Sequence, residues 1–221
     1  DKKSINTFRE FSITKFEERQ FPGNLFLAKY LSDLNIITPK FLPIKVYVNG
    51  DYWGPMLLEE QYSNSFLELR QKKETPIFRL TDDNNRKIYS IFKNSKLNQD
   101  LISEKMIISP RKFEVSFYNF NKYIYDPVSL DNISIIRNLN ENVYLNEENT
   151  DELVIKYLDI EKFAALLAHT LVLGDFHSTK ISNLRFYWNP YTLKIEPIPT
   201  DHIVNHTKFN NKSELYKNLD S

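Results

Sequence analysis

An Asn49-Gly50 pair stands between two β-prone runs at 41–48 and 51–61, and it constrains the fold more than any other dipeptide in the chain. A two-residue hairpin connection of type I′ needs positive φ at both central residues. Asn tolerates that conformation and Gly takes it without steric cost. An antiparallel hairpin over 41–61 is therefore predicted, and the remaining elements must be arranged around it. Upstream, residues 7–16 alternate Phe8, Phe11, Ile13 and Phe16 with polar neighbours, which reads as a strand with one phase slip. After Pro22-Gly23, Asn24 is placed to cap a helix to about Leu34, with Leu25, Ala28, Leu31 and Leu34 on one face. Asn35 and Pro39 end it. A short helix at 63–70 and a strand at 76–80 follow.

Residues 82–149 carry a weaker pattern. Stretches rich in Asn, Lys and Asp surround short apolar pieces at 106–108 and 113–120, and they read as an exposed connection with one or two helices. Regular patterning returns at Thr150. Asp159 can cap a helix in which Phe163, Leu166, Leu167 and Thr170 mark an apolar face and three alanines favour helix throughout. It runs into Leu171-Val172-Leu173, nearly apolar all round, so it is predicted to be central to the core. A loop with Gly174-Asp175-Phe176-His177, a hairpin with strands at 184–188 and 193–198, and Asp201 complete the pattern. A polar tail follows, with a short helix from Ser213.

Composition narrows the chemistry. The 29 basic residues balance 29 acidic ones, so charge provides no general case for a nucleic-acid or membrane-surface partner. No apolar run approaches a membrane span. The absence of cysteine excludes disulfides and thiolate metal sites. The chain begins at Asp1 and reads as a processed chain or a domain of a longer protein. Only the stretch 171–201 brings two carboxylates, a carboxamide and a histidine onto loops bounded by strongly apolar elements, where chemistry usually sits. Asp175, Asn183 and Asp201 are expected to meet around a metal-bound phosphate. Their plainer readings are a helix-terminating surface acid and two turn residues. His177 is placed either to orient Asp175 or to bond backbone; His202 and His206 read as decoration of the polar tail, and Tyr52 and Trp53 as core or interface residues.

The order of strand, helix, hairpin, connection, buried helix, Asp loop, hairpin and Asp resembles a protein-kinase-like fold. Two blocks are more specific. Val46-Tyr47-Val48-Asn49-Gly50-Asp51-Tyr52-Trp53-Gly54-Pro55-Met56-Leu57-Leu58-Glu59-Glu60-Gln61 resembles a run of the CotH (spore-coat protein H) family of atypical kinases. The 175–201 stretch is similar to that family's pattern of D-x-H followed by a hairpin and P-x-D, with Tyr187, Pro190, Thr192, Lys194, Ile198, Pro199 and Asp201 in register. The resemblance implies a bilobal α+β fold, with an antiparallel-sheet N-lobe at 1–81 and a mainly helical C-lobe at 82–221. It implies ATP-dependent phosphorylation of Ser or Thr in a polypeptide substrate, assisted by Mg²⁺ or Mn²⁺. Asp175 would be the catalytic acid or base, and Asn183 and Asp201 the metal ligands. Glu59, Glu60 and Gln61 would form the nucleotide hinge, and Lys15 would pair the phosphates, with Arg9 as its rival.

The chain also departs from the pattern. The 178–182 insertion lengthens the loop between Asp175 and Asn183, Ile203 replaces a second acid, and Arg79 stands where a Lys is frequent. Three alternatives remain beside the kinase reading: a pseudokinase or binding module, another transfer reaction on the same fold (glutamylation or nucleotidylation), and a metal-dependent phosphoesterase.

Overall fold

A computed structural model describes residue 5 and residues 7–81, 113–145 and 150–203. Two antiparallel sheets and six α-helices make up these residues, an α+β architecture.

The first sheet has the order β1-β3-β2, with β1 at Phe11–Lys15, β2 at Phe41–Val48 and β3 at Asp51–Glu60. The Asn49-Gly50 turn forms as expected, with φ of 52° and 94°. A register shift follows at Val46/Tyr47, close to Gly54, whose φ of 104° a side-chain-bearing residue would rarely adopt. The two-residue turn leaves Tyr47, Tyr52 and Trp53 exposed near the hairpin tip. Tyr52 and Trp53, expected to be core or interface residues, are not in the core: they lie on the part of β3 that pairs with β2 alone, beyond the reach of β1, where Tyr52 packs against Tyr47. Between β1 and β2, a 3₁₀ turn at Glu17–Arg19 precedes α1 (Gly23–Asp33). Leu27, Ala28 and Leu31 of α1 are buried.

A short α2 (Asn64–Glu68) leads to the second sheet. Its order is β5-β4-β6-β7, with β4 at Ile77–Thr81, β5 at Glu114–Phe117, β6 at Arg185–Asn189 and β7 at Lys194–Ile198. β4 thus hydrogen-bonds to β5 and β6 across the expected division at 81/82. Strand alternation divides the core between the two faces of this sheet. Phe78, Phe186, Trp188 and Ile195 pack with Ile136, Leu139 and Leu166 on one side. Ile77, Tyr187 and Ile198 pack with Phe66 and Leu67 on the other.

The region expected to be an exposed connection with one or two helices contains two, a single turn α3 (Phe120–Tyr123) and the 19-residue α4 (Pro127–Leu145), and also a strand that was not expected, β5. The face of α4 toward the core carries Ser129 and Asn132 beside Ile133, Ile136 and Leu139. Those two polar residues break the apolar periodicity that would have exposed the helix to inspection. Asn132 is accommodated because its Oδ1 accepts from Trp188 Nε1 at 3.0 Å. The apolar piece at 106–108, the helix from Ser213 and His206 lie outside the described residues.

α5 (Thr150–Tyr157) precedes α6 (Ile160–Leu173). Asp159 caps α6 as expected, accepting from the Lys162 N–H. The helix is not enclosed on all sides, however. Leu166, His169 and Thr170 are buried, while Leu167 and Val172 are 49% and 69% exposed. Apolar residues all round a helix predicted burial all round, but only one face of α6 meets the rest of the described fold.

Candidate functional site

A polar cleft of about 200 Å³ lies between the end of β3 and the β6–β7 hairpin. Arg19, Glu59, Gln61, Asn183, Arg185 and Asp201 line it, with Glu60 and Thr200 beside them. Residues 122 or more positions apart, 59–61 and 183–201, are thereby brought to one site. The two stretches singled out in the sequence meet there, including five of the seven candidate residues.

Arg19 organises the cleft. Its Nη2 lies 2.9 Å from Glu59 Oε2 and its Nη1 lies 2.5 Å from Asp201 Oδ1, so one guanidinium joins the first sheet to the loop after β7. Burial pushes the Glu59 carboxyl above its usual range; Arg19 opposes that shift, and Asp201 adds to it. Nothing in the sequence distinguished Arg19 from the other cations near the N-terminus. Its position comes from the left-handed Gln20 (φ 48°) that closes the 3₁₀ turn.

Lys15, the expected phosphate partner, does not line the cleft. Glu59 pairs with Ser12, and Lys15 stands three residues farther along β1, about 10 Å toward the hairpin tip. Its side chain is exposed. Arg9 instead approaches Glu68 at 3.8 Å on the surface. Glu60 is engaged by Arg70, whose Nη2 lies 2.6 Å from Oε2, and by the Lys40 N–H at 3.1 Å. It is a structural carboxylate at the cleft wall. Gln61 donates to Ser12 Oγ at 3.2 Å.

Asn183 and Asp201 are held side by side. Thr200 Oγ1 donates to the Asn183 carbonyl at 2.5 Å. His177 Nδ1 lies 2.9 Å from the Asp201 carbonyl and 3.3 Å from Asp201 Oδ2. Both of these are acceptors, and the Asn183 amide nitrogen, a donor, lies 3.0 Å from the same ring nitrogen, so which of them Nδ1 bonds depends on the His177 tautomer. The Asn183 amide also donates to the His177 carbonyl at 2.9 Å. His177 thus orients Asp201, not Asp175. Asp201 itself adopts φ 58°, a left-handed conformation that a non-glycine residue holds at a cost of about 1–3 kcal/mol and that concentrates at functional sites. Arg185 donates to Tyr118 Oη and to the Ser182 carbonyl, each at 2.6 Å. Its bonds are to a phenol and to backbone, so its positive charge is left for the cleft.

Asp175 lies beneath the cleft and does not line it. Its Oδ2 is 2.6 Å from His202 Nδ1 and 3.4 Å from His169 Nε2, and its Oδ1 accepts from the Ile203 N–H at 2.9 Å. Burial pushes this carboxyl up, yet the two histidines and the backbone donor outweigh burial and hold it well below the usual carboxylate range. His202 is therefore buried core chemistry, not tail decoration. At the left-handed bend of Asp201 the chain sends the Asp201 carboxylate into the cleft and the His202 ring inward. His169 came from an apolar helix and carried no sequence signal beyond its type.

These features define an α+β protein with a charged, oxygen-rich cleft between a three-stranded sheet and a β-hairpin. The chain belongs to the CotH kinase protein family, whose model matches residues 19–211. No curated protein matches it. The family is kinase-like, which supports transfer chemistry with a nucleotide and a divalent cation. Among the described residues no helix is long and apolar enough to cross a membrane.

Proposed function

We propose that the cleft binds the phosphates of ATP together with Mg²⁺ or Mn²⁺, and that the chain transfers phosphate to Ser or Thr of a polypeptide from a bilobal, kinase-like frame. The observation that carries this reading is the convergence of Glu59–Gln61 with Asn183 and Asp201 around two arginines. Asp201, Asn183 and Glu59 offer hard oxygen donors, the set that suits Mg²⁺. The burial-raised carboxyl of Glu59 is a group whose charged form a cation would favour. When bound, the metal would neutralise phosphate charge. At about 200 Å³ the cleft is smaller than the roughly 300–1,000 Å³ of whole-ligand pockets. It matches the phosphate end of a nucleotide, with the base lying beyond the C-terminal end of β3.

In this reading Arg185 and Arg19 hold phosphate oxygens, and His177 fixes the Asp201 carboxylate. Phosphoryl transfer asks chiefly for positioning and charge neutralisation, which these residues supply. Both oxygens of Asp175 are occupied, and the proposal gives Asp175 no contact with the acceptor hydroxyl. That burial favours a second reading, a nucleotide-binding module without transfer. A thermal-shift titration with ATP and Mg²⁺ or Mn²⁺, followed by transfer from γ-labelled ATP to generic protein acceptors, separates the two. Stabilisation with transfer that Asp201→Asn abolishes supports the first reading, and stabilisation without transfer supports the second. No stabilisation at millimolar nucleotide sinks both.

A further inference from the structure

The buried cluster beneath the cleft has a donor set of its own. His169 from α6, Asp175 from the loop after α6 and His202 from the segment after β7 place one ligand atom each within 4.8 Å of one another, all on buried side chains. Two imidazoles and a carboxylate suit borderline cations such as Zn²⁺ and differ from the all-oxygen cleft above. The cluster also has an unmet need. Neither ring nitrogen of His169 has a hydrogen-bond partner, and His202 Nε2 has none. Each buried polar atom left unpaired is costly, and such atoms require an explanation of their own.

We infer that His169, Asp175 and His202 form a buried binding site for a divalent transition cation of the zinc type, which ties α6 to the segment that carries Asp201. At metal–ligand distances of about 2.0–2.1 Å, two tetrahedral ligands stand about 3.3 Å apart. His169 Nε2 and Asp175 Oδ2 are 3.4 Å apart. The Tyr30 ring from α1 stacks on His169, with centroids 5.6 Å apart and planes 25° apart, and so fixes the imidazole plane. His202 Nδ1 lies closer to Oδ2, at 2.6 Å, as a hydrogen bond requires. Binding replaces the proton on His202 Nδ1 with the cation, the neutral imidazole then carries its proton on Nε2, and the two atoms move apart by less than about 1 Å to reach ligand spacing. The Ile203 N–H stays on Oδ1 and orients the carboxylate from outside the ligand shell. Three protein donors leave a fourth position for water. The cation's role is to hold Asp201 in its left-handed conformation from below. This site uses no side chain that lines the cleft.

The test uses the full chain, stripped with a chelator and titrated with Zn²⁺ or Co²⁺ alone. One equivalent of Zn²⁺ is expected to bind and raise the Tm, and Co²⁺ is expected to show the intense visible absorption of a four-coordinate site. Loss of an outer-shell partner lowers metal affinity by about 10–100-fold, so His169→Gln and His202→Gln, which remove ligands, should each exceed about 100-fold. His177→Gln and Asp201→Asn, which alter the cleft, should leave Zn²⁺ affinity within about 3-fold; this outcome separates the buried site from the nucleotide site. Equal Zn²⁺ affinity in the wild type and in a folded His169→Gln/His202→Gln double variant overturns the inference. If those variants do not fold, the wild-type cobalt spectrum decides: a six-coordinate spectrum, or no binding, overturns it as well.

Discussion

Arg19→Ala isolates the contact that joins the first sheet to the candidate site. Removing one partner of a fully buried ion pair costs about 3–5 kcal/mol, because a charge is left buried without compensation. Exposed pairs contribute only about 0–1 kcal/mol. Glu59 is 8% exposed but Arg19 is 28% exposed and Asp201 31%, which puts the expected loss between these limits, near 2 kcal/mol. For a domain of this size that corresponds to a fall in Tm of about 4–8 °C. The loss should depend on pH in a definite direction. Without Arg19, burial and the neighbouring Asp201 still push the Glu59 carboxyl up, and the main opposing influence is gone. A carboxyl with a folded pKa above its unfolded value is best tolerated below the unfolded pKa, and stability falls as pH rises through the folded one. The deficit of the variant relative to the wild type should therefore be larger at pH 7 than at pH 5. Urea denaturation at both pH values measures it, and Arg19→Ala/Glu59→Gln should recover most of the loss. An equal deficit at the two pH values, with no recovery in the double variant, would refute the claim that Glu59 is a desolvated charge held by Arg19.

Two further predictions concern the frame around the site. Glu196, buried among Lys72 at 3.1 Å, Lys162 at 2.8 Å and the Asn189 amide at 2.7 Å, is pushed up by burial, but these partners outweigh it and hold its carboxyl low. Its stabilisation is present above the ordinary glutamate pKa and lost as pH falls through the depressed one, so Glu196→Gln should cost about 2–4 kcal/mol at pH 7. The urea midpoints of variant and wild type should converge on acidification; parallel curves down to pH 3 would contradict the pairing. The two tryptophans should report opposite environments: Trp53→Phe leaves a blue-shifted emission from buried Trp188 that acrylamide barely quenches, and changes stability by less than about 0.5 kcal/mol. Strong quenching of the remaining tryptophan would place Trp188 wrongly in the core.

Much of the fold was legible where local chemistry has few solutions. Asn49-Gly50 allows one tight hairpin, Asp159 caps α6, and the β6–β7 hairpin follows from two β-prone runs around Asn189-Pro190. The half of the chain containing α4 was less legible, because its buried face includes Ser129 and Asn132 and its apolar period is interrupted there. α6 misled in the opposite sense, since composition reports how apolar a helix is and not how many neighbours it has.

The same boundary runs through the site. The sequence alone determined which residue types were available: two acids and a carboxamide on loops beside apolar elements, Glu59–Gln61 at the end of a predicted strand, and no thiolate. Those are local facts, set by covalent order and turn chemistry. Only the tertiary structure decided which of them share a space. It put Arg19 between Glu59 and Asp201, left Lys15 about 10 Å along β1, turned His177 toward Asp201, and enclosed Asp175 between His169 and His202. These are contacts between segments as many as 182 positions apart. No local rule specifies them, because they depend on how sheets, α1 and α6 pack together.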